Sequence, residues 1–304
     1  METKALIADS RLIGNVLSGN IDDYPDGIVI PIDKPYKWTS ADVVRKIKRA
    51  ACRHFGKKNL KVGHAGTLDP LATGVLLLCV GKATRLAESF QKEAKEYVAG
   101  IAFGATTPSY DLEKAIDRFY PTDGVNEDSV RKALDGFRGE QDQVAPLFSA
   151  KSVDGVRAYE LARRQFREMG KAKGDVFEDF DHSAAGLLNV QKINIYELEL
   201  LAFRSSGTRA PSRKEENGPS DRINVTDTSG LDLPEATIRI ACSKGTYIRA
   251  FARDLGEALG SGAHLSSLRR TKTGGFNAET ALSVTQAVDL LPTTISDQIP
   301  GQDN

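Results

Sequence analysis

A short apolar run preceded by a glycine-rich loop constrains this fold more than any other feature of the sequence. The run at residues 75–80 is continuous and short, which is typical of a buried strand. The preceding residues 63–74 read GHAGTLDPLATG and contain one carboxylate, Asp69. Glycines permit backbone conformations closed to other residues, and Pro70 fixes φ beside the acid. We therefore predict that Asp69 lies on a stiff turn next to a core strand, which would hold a reactive side chain in place.

The composition is that of a globular protein. The chain has 304 residues, of which 40% are hydrophobic and 27% charged, enough for one large core or two ordinary domains. Its three cysteines, Cys52, Cys79 and Cys242, are widely spaced and fit neither a disulfide framework nor a metal site. No apolar run approaches the length of a membrane span, and the N-terminus does not resemble a signal sequence. We therefore expect a cytoplasmic protein that does not associate with membranes.

Basic residues are concentrated in one segment, although the formal net charge is zero. Apolar residues recur at helical spacing in residues 41–61, so we predict a helix there with Ser40 as its N-cap. Its basic face is either simply solvated or bound to phosphates. A second basic cluster, Arg269-Arg270-Thr271-Lys272, favours phosphate contacts. The basic residues of the segment are Arg45, Lys46, Lys48, Arg49, Arg53, Lys57, Lys58 and Lys61.

The remaining periodicities predict strands and helices in mixed order. One helix is expected from Val130 to Phe137, with Glu127 and Asp128 in its first turn, and another over residues 248–259. Because the elements do not alternate in strict βαβ order, we predict an α+β fold with a mixed, mainly antiparallel sheet. Further strands are predicted at residues 27–33, 97–104, 193–203 and 236–242.

The Asp69 segment is also part of a longer set of motifs. Residues 63–74 resemble the loop of the TruB family of tRNA pseudouridine synthases, whose pattern is roughly G-H-x-G-x-L-D-P-x-A-T-G-x-L, and Asp69 falls on that family's catalytic aspartate. With four further segments in the family's order, the resemblance covers roughly residues 28–276. It implies a pseudouridine synthase fold with an RNA-binding cleft. The further segments are residues 95–111, 143–163, 242–256 and 262–271.

The resemblance implies a catalytic group that suits the chemistry. Pseudouridine formation breaks the uracil N-glycosidic bond, turns the base and rejoins it through carbon. An ionised carboxylate would assist by attacking C1′ or by removing the C2′ proton, and this role would fall to Asp69. Arg249 matches the partner of that aspartate, and Tyr247 matches the residue that exchanges the C5 proton. No cofactor or metal is expected, in agreement with the absence of a P-loop, a dinucleotide fingerprint or a metal cluster.

Four further residues match substrate-binding positions of the family. His64 would accompany base flipping by filling space or contacting RNA, Tyr97 would stack on the flipped uracil, and Leu268 would line the base pocket. Asp111, in the turn after the Tyr97 strand, is placed with them. From the residues alone, alternatives stay open: His64 and Arg249 suit exposed positions, whereas Tyr97, Tyr247 and Leu268 suit a structural core.

The same resemblance suggests a domain organisation. We expect an N-terminal extension at 1–26, a catalytic domain at 27–276 and a C-terminal tail at 277–304, without the C-terminal PUA domain common in the family. The catalytic domain would include a thumb at about 143–185, where Ser152 stands at the usual lysine position, and a flexible polar insertion at about 205–234. Residues 1–20 and 280–304 are expected to be loose.

The expected activity is isomerisation of the T-loop uridine of tRNA, position 55 by the family's precedent. The partner would be the T-arm of tRNA, with no guide RNA, and one chain of this kind could work as a monomer. Two other classes are considered: an RNA-binding tRNA folding chaperone without catalysis, and a guide-RNA-dependent enzyme of the dyskerin class. The presence of Asp69, Tyr97, Tyr247 and Arg249 disfavours the first, and the missing C-terminal domain disfavours the second.

Overall fold

The computed structural model describes residues 4–146, 152–153, 156–157, 190–207, 223 and 225–293. Its strands are β1 (Leu6–Ile7), β2 (Ile28–Lys34), β3 (Val62–Ala65), β4 (Ala72–Val80), β5 (Lys95–Phe103), β6 (Ala105–Thr106), β7 (Arg118–Phe119), β8 (Gly139–Val144), β9 (Ser152–Val153), β10 (Val156–Arg157), β11 (Val190–Arg204), β12 (Glu235–Cys242), β13 (Ala263–Thr273) and β14 (Phe276–Asn277). Its helices are α1 (Ser40–His54), α2 (Ala87–Lys92), α3 (Glu127–Asp135), α4 (Ile248–Ala258) and α5 (Val284–Asp289).

The described residues form two compact units. The first contains residues 4–93 and 270–293, and the second contains the described part of residues 94–269. Strand β13 contributes to both, because its residues 263–269 belong to the second unit and its last four to the first.

The first unit is built around β4, which the sequence predicted as a buried strand. β2 runs antiparallel to β4 with Ile28 opposite Val80, and β3 runs antiparallel to the second half of β4. β1 is parallel to β2. Because both faces of β4 are covered, its residues from Gly74 to Val80 are all buried, as predicted from the continuous apolar run. The apolar cluster around it consists of Ala5, Val29, Ala65, Val75, Leu77, Cys79, Ala83, Phe90 and Ala278.

The basic helix is shorter than predicted and begins with a different cap. The Thr39 hydroxyl accepts a hydrogen bond from the Asp42 amide, and the Asp42 carboxylate accepts one from the Thr39 amide, forming a capping box. The prediction of Ser40 as the N-cap is therefore wrong by one residue. α1 ends at His54, so the prediction of a helix to residue 61 is wrong for its last third, and the lysines at 57, 58 and 61 follow the helix.

The termini of the described chain are packed rather than loose. Ala5 and Ala8 are buried, and β1 pairs with β2. At the other end, Leu282 forms a bridge with Ile32, and α5 packs against α1. The prediction of loose termini is therefore wrong for residues 4–20 and 280–293, because their apolar side chains complete the core of the first unit; residues 294–304 lie outside the described part.

The second unit is a mainly antiparallel sheet with two helices. β12 pairs antiparallel with β5 on one edge and with β11 on the other, and β11 also pairs with β8. The side chains of β12 alternate between buried and half-buried, as its sequence pattern predicted. Phe137, just after α3, packs edge-on against Phe251 of α4 with ring centroids 5.4 Å apart.

The predicted fold class is confirmed, since both units combine mainly antiparallel strands with a few helices. The predicted strands correspond to β2, β4, β5, β11 and β12, and the two later predicted helices correspond to α3 and α4. Most of the predicted thumb at 143–185 and half of the predicted insertion at 205–234 lie outside the described residues. Within the described residues no helix is long and apolar enough to cross a membrane.

Candidate active site

Asp69 lies on the loop of residues 66–71 between β3 and β4, here named the Asp69 loop. A buried arginine from the end of β13 holds the start of this loop. The Arg270 guanidinium donates from Nη2 to the Gly66 carbonyl (3.1 Å), from Nη1 to the Thr67 carbonyl (3.4 Å) and from Nε to the Val75 carbonyl in β4 (2.8 Å). Arg270 is 2% exposed. One rigid, planar side chain therefore fixes both the loop and the strand that follows it.

The middle and the end of the Asp69 loop are held in the same way. The Ser40 hydroxyl accepts from the Leu68 amide (3.0 Å) and donates to the Leu68 carbonyl (3.1 Å). The Asp69 carbonyl accepts from the Ala72 amide (3.1 Å). The Lys34 ammonium donates to the Pro70 carbonyl (3.2 Å). Every residue from Gly66 to Pro70 thus has a fixed backbone group, which confirms the prediction of a stiff turn.

Lys34 is a fully buried cation at the end of β2. Its ammonium also donates to the carbonyls of Trp38 (2.6 Å) and Pro35 (3.0 Å). Burial lowers its pKa to about 7, a fall that the nearby Asp69 carboxylate opposes and the Arg270 charge reinforces. The lysine is therefore close enough to Asp69 for the two charges to interact.

The close approach of β13 to β4 depends on a glycine. Gly74 has φ +99°, and a Cβ at this position would lie 2.1 Å from the Arg270 carbonyl oxygen. Any side chain here would displace the Arg270 backbone, and with it the guanidinium that holds the Asp69 loop. The prediction that Arg270 contacts phosphates is wrong, because its guanidinium is buried on backbone carbonyls. The neighbouring Arg269 and Lys272 are not buried in this way.

His64 lies on β3, two residues before the Asp69 loop. Burial, and then the charge of Arg270, lower the pKa of its imidazole, which favours the neutral form. Its Nδ1 atom is buried and has no hydrogen-bond partner in the described part of the chain. A neutral ring with an unsatisfied buried nitrogen suits a residue that contacts a ligand rather than one that moves protons.

In the second unit, Arg249 lies in the first turn of α4 and is 5% exposed, so it is not a surface arginine. Its Nε atom lies 3.8 Å from Asp111 Oδ2, and its Nη1 donates to the Ser109 carbonyl (3.2 Å). The Asp111 carboxylate also accepts from the Ser109 hydroxyl (2.6 Å) and the Glu113 amide (3.0 Å). Asp111, predicted to bind substrate, is 6% exposed and contacts Arg249.

The turn that carries Asp111 is strained and well supported. Tyr110 adopts φ +56°, which is uncommon for a residue other than glycine. Its carbonyl accepts from the Leu265 amide (2.9 Å), and the Arg253 guanidinium lies over its ring. Burial raises the pKa of the Tyr110 phenol. The turn therefore has a defined conformation, which in turn fixes the position of the Asp111 carboxylate.

Tyr247 occupies the position before α4, and its backbone is held by one side chain. Gln143 Oε1 accepts from the Tyr247 amide (2.8 Å), and Gln143 Nε2 donates to the Tyr247 carbonyl (3.2 Å). Tyr97 lies in β5 and is 8% exposed, opposite Ile240 of β12. Leu268 lies in β13 and is half-buried.

A cationic pocket of about 640 Å³ lies in the first unit, at the opposite end of β4 from the Asp69 loop. In the described part of the chain, none of its basic side chains forms an ion pair within 4 Å. β4 advances by about 3.3 Å per residue, so the pocket is about 30 Å from the start of the strand. The basic side chains that line it are Lys57, Lys58, Lys61, Lys82 and Arg85.

The structure thus groups the predicted site residues into two sets. The first unit holds Asp69 and His64, and the second brings Asp111 and Arg249 into contact and holds Tyr97, Tyr247 and Leu268. The sequence interpretation missed Lys34 and Gln143. The lysine directly after the predicted apolar strand at 27–33 was the available signal for Lys34. Gln143 begins the family-like segment at 143–163, but no role was assigned to it there. Among the described residues, no group of three or more His, Cys, Asp or Glu side chains is placed to hold a metal ion.

Two family models match this chain. The model of the TruB family pseudouridylate synthase N-terminal domain matches residues 53–177, and that of the tRNA pseudouridylate synthase B C-terminal domain matches residues 249–296. The tRNA pseudouridine synthase B of Phocaeicola vulgatus is 46% identical over 262 residues, covering 86% of this chain and 92% of that protein. The protein of the same name from Bacteroides thetaiotaomicron is 47% identical, covering 86% and 91%.

Solved structures show the same fold at lower identity. A chain of a Cbf5-Nop10-Gar1 complex is 26% identical with a TM-score of 0.53, covering 95% of this chain and 64% of its own length. A chain of an H/ACA RNP bound to a substrate RNA containing 2′-deoxyuridine is 24% identical with a TM-score of 0.52, covering 95% and 63%. The present chain therefore spans slightly less than two thirds of these structural neighbours.

Proposed function

Because the chain belongs to the TruB family of pseudouridylate synthases, we propose that it converts uridine to pseudouridine in the T-loop of tRNA, at position 55. Relatives 41–47% identical over most of their length are named tRNA pseudouridine synthase B. Proteins this similar across their length share a fold and, where the site residues match, a reaction.

The observation that carries this proposal is the support of the Asp69 loop. Three side chains, Arg270, Ser40 and Lys34, hold the backbone on both sides of Asp69 while its carboxylate stays on a partly exposed loop. A reacting carboxylate needs such preorganisation, because small displacements from the productive geometry reduce the rate strongly. A turn with only a structural role at the surface would not require two buried basic side chains, here Lys34 and Arg270, to hold its backbone.

The reaction assigns roles to the remaining residues. Asp69 attacks C1′ or removes the C2′ proton as the N1–C1′ bond breaks. The base then turns and C5 bonds to C1′, either as the Asp69–C1′ bond breaks or as Asp69 returns the proton to C2′. The Tyr247 oxygen accepts the proton that leaves C5, and N1 takes one proton from solvent, so the product is an isomer of uridine. The resemblance to the family assigns Arg249 as the partner of the catalytic aspartate. Within the second unit its guanidinium is held by Asp111 and the Ser109 carbonyl.

Substrate binding uses the other matched residues and the cationic pocket. Tyr97 stacks on the flipped uracil, Leu268 lines the base pocket, and His64 accompanies flipping as a neutral ring. The pocket binds phosphates of the RNA backbone, since its cations have no carboxylate partners within the described chain and lie about 30 Å along β4 from the Asp69 end. Of the predicted cluster at 269–272, Arg270 is committed to backbone carbonyls, whereas Arg269 and Lys272 stay among the proposed phosphate contacts.

The partner is free tRNA rather than a guide-RNA complex, and the chain works as a cytoplasmic monomer. The relatives above 40% identity are named for tRNA, whereas the chains from H/ACA complexes are only 24–26% identical. Nothing favours a chaperone without catalysis. The proposed catalytic domain is centred on residues 27–276, with a thumb at about 143–185, and the packed residues 4–20 and 280–293 complete its first unit.

The test is incubation of purified protein with an unmodified tRNA transcript, followed by mapping of pseudouridine at each uridine. We expect conversion at position 55 without added RNA or cofactor. Binding of the transcript without any pseudouridine would support the chaperone alternative. Conversion that requires an added guide RNA would support the dyskerin class. Conversion only at other uridines would contradict the assignment of position 55.

A further inference from the structure

Gln143 holds the backbone of Tyr247 at both of its polar groups. The side-chain amide accepts from the Tyr247 N–H (2.8 Å) and donates to the Tyr247 carbonyl (3.2 Å), two bonds made by one buried group that is 3% exposed. A single glutamine paired with both backbone groups of one residue imposes its orientation as a neighbouring strand would. The two residues are 104 positions apart in sequence.

The strand that carries Gln143 is joined to α4 at a second point. Gln143 lies near the end of β8, and the carbonyl of the next residue, Val144, accepts from Arg253 Nη2 of α4 (3.0 Å). The Arg253 guanidinium also bonds to Asp254 and lies over the Tyr110 ring. The end of β8 is therefore tied both to the residue that precedes α4 and to the second turn of that helix.

Tyr247 also contributes to the start of α4, because its carbonyl accepts from the Phe251 amide (3.0 Å). It is the N-cap residue of α4, with extended backbone angles of φ −95° and ψ 110°, and no side chain caps the helix there. Rotation of this backbone would move the phenol directly and would also reorient the first turn, which carries Arg249. The two hydrogen bonds from Gln143 oppose that rotation.

We propose that Gln143 is a positioning residue that holds the Tyr247 phenol in line with C5 of the uracil during loss of the C5 proton. This inference rests on the proposed function, because it assigns Tyr247 to that step. Gln143 does not touch the substrate; it acts through the backbone of Tyr247. Its loss should therefore slow one chemical step rather than weaken RNA binding.

The experiment compares Gln143→Met, which removes both hydrogen bonds and keeps the volume, with Gln141→Met. Gln141 is a matched control on the same strand, whose side chain donates to the Phe137 carbonyl (2.6 Å) and does not contact Tyr247. Single-turnover rates are measured with tRNA transcripts containing either ordinary uridine or 5-deuterouridine. If Gln143→Met does not fold, Gln143→Glu is used, because it keeps the acceptor for the Tyr247 N–H and loses the donor.

We expect Gln143→Met to lower the single-turnover rate by about 10- to 100-fold at unchanged tRNA affinity. The isotope effect at C5, which is the ratio of the rates with ordinary uridine and 5-deuterouridine, should be larger than in the wild type. Gln141→Met should leave both near the wild type. A rate loss with an unchanged isotope effect, or equal losses in the two variants, would reduce Gln143 to a structural role and overturn the inference. Failure of the wild-type protein to form pseudouridine would instead contradict the proposed function.

Discussion

Lysine and arginine side chains lie near both ends of β4, but they are buried at one end and exposed at the other. At the Asp69 end, the buried side chains of Lys34 and Arg270 donate hydrogen bonds to backbone carbonyls. At the other end, the basic residues of the cationic pocket are without carboxylate partners in the described chain. A cation on carbonyls fixes a loop, whereas a solvated cation is available to a phosphate. We infer that one end governs the chemistry and the other governs affinity.

The contrast also concerns what each end can tolerate. A buried cation cannot be removed without leaving several carbonyls unsatisfied, which costs more than the loss of a surface charge. Exposed lysines around the pocket can be replaced with little effect on folding. Substitutions at the two ends should therefore separate turnover, stability and binding from one another.

The largest effect is expected from Asp69→Asn, at the chemical end. The change is nearly isosteric and removes only the charge, so pseudouridine formation should be abolished while tRNA affinity stays within severalfold. Product formation and binding are measured on the same tRNA transcript. Turnover near that of the wild type would remove Asp69 from its catalytic role and with it the distinction between the two ends.

A smaller loss is expected from Arg270→Met, which keeps Asp69 and loosens its loop. Turnover should fall by about 100-fold, because the carboxylate loses its fixed position, and the free energy of unfolding should fall by about 3 kcal/mol, since three carbonyls lose their donor. Urea denaturation and single-turnover rates check the two effects. An unchanged rate in a folded variant would show that the arginine does not hold the reactive geometry.

At the opposite end, replacing Lys57, Lys58 and Lys61 together with Ala should weaken tRNA binding by about tenfold and flatten its salt dependence by about two to three in log–log slope. Turnover at saturation should not change. Lys46, Lys48 and Arg49, exposed on α1 but outside the pocket, form the control. An equal loss in the control variant would place the phosphate contacts on the whole helix face, not in the pocket.

The smallest effect concerns the protonation of Lys34. Its pKa in the folded protein is about 7, below the ordinary 10.5. Between these values the unfolded chain binds more protons than the folded one, so this group makes stability rise with pH, by at most about 1.4 kcal/mol per pH unit. Below pH 7 the contribution is constant. The free energy of unfolding is measured by urea denaturation at pH 7, 8 and 9 for the wild type and Lys34→Met. It should rise with pH in the wild type and not in the variant. An equal pH dependence in the two proteins would contradict the lowered pKa of Lys34.

Much of the fold could be predicted because its local patterns agree with its tertiary environment. The apolar run at 75–80 corresponds to β4, and the alternation at 236–242 corresponds to β12. The apolar face from Ile248 to Leu255 is the buried face of α4. The helix boundaries of α1 were less predictable. Thr39 and Ser40 are both good caps, and the choice depends on the Leu68 backbone, which holds Ser40 from 28 residues away.

The sequence suggested which residues form the candidate site but not which groups support them. Asp69 could be placed on a stiff turn from glycines and Pro70, whereas the sequence around Arg270 looked like a phosphate-binding cluster. Only the packing of β13 against β4 shows that this arginine is buried on carbonyls. Likewise, the buried contact of Arg249 with Asp111 joins residues that are 138 positions apart by their numbering and share no sequence pattern.

One titration tests the division between the two ends of β4 most directly. The single-turnover rate of pseudouridine formation at position 55 is measured against enzyme concentration. The proteins compared are the wild type, Asp69→Asn and the triple variant at Lys57, Lys58 and Lys61. The curves of the wild type and the lysine variant each yield a rate constant at saturation and an apparent affinity. Because Asp69→Asn is expected to form no product, its affinity is measured as direct binding to the same transcript. We expect the aspartate variant to lose only the rate and the lysine variant to lose only the affinity. Product from Asp69→Asn at near wild-type rate, or a lowered rate at saturation in the lysine variant, would contradict it.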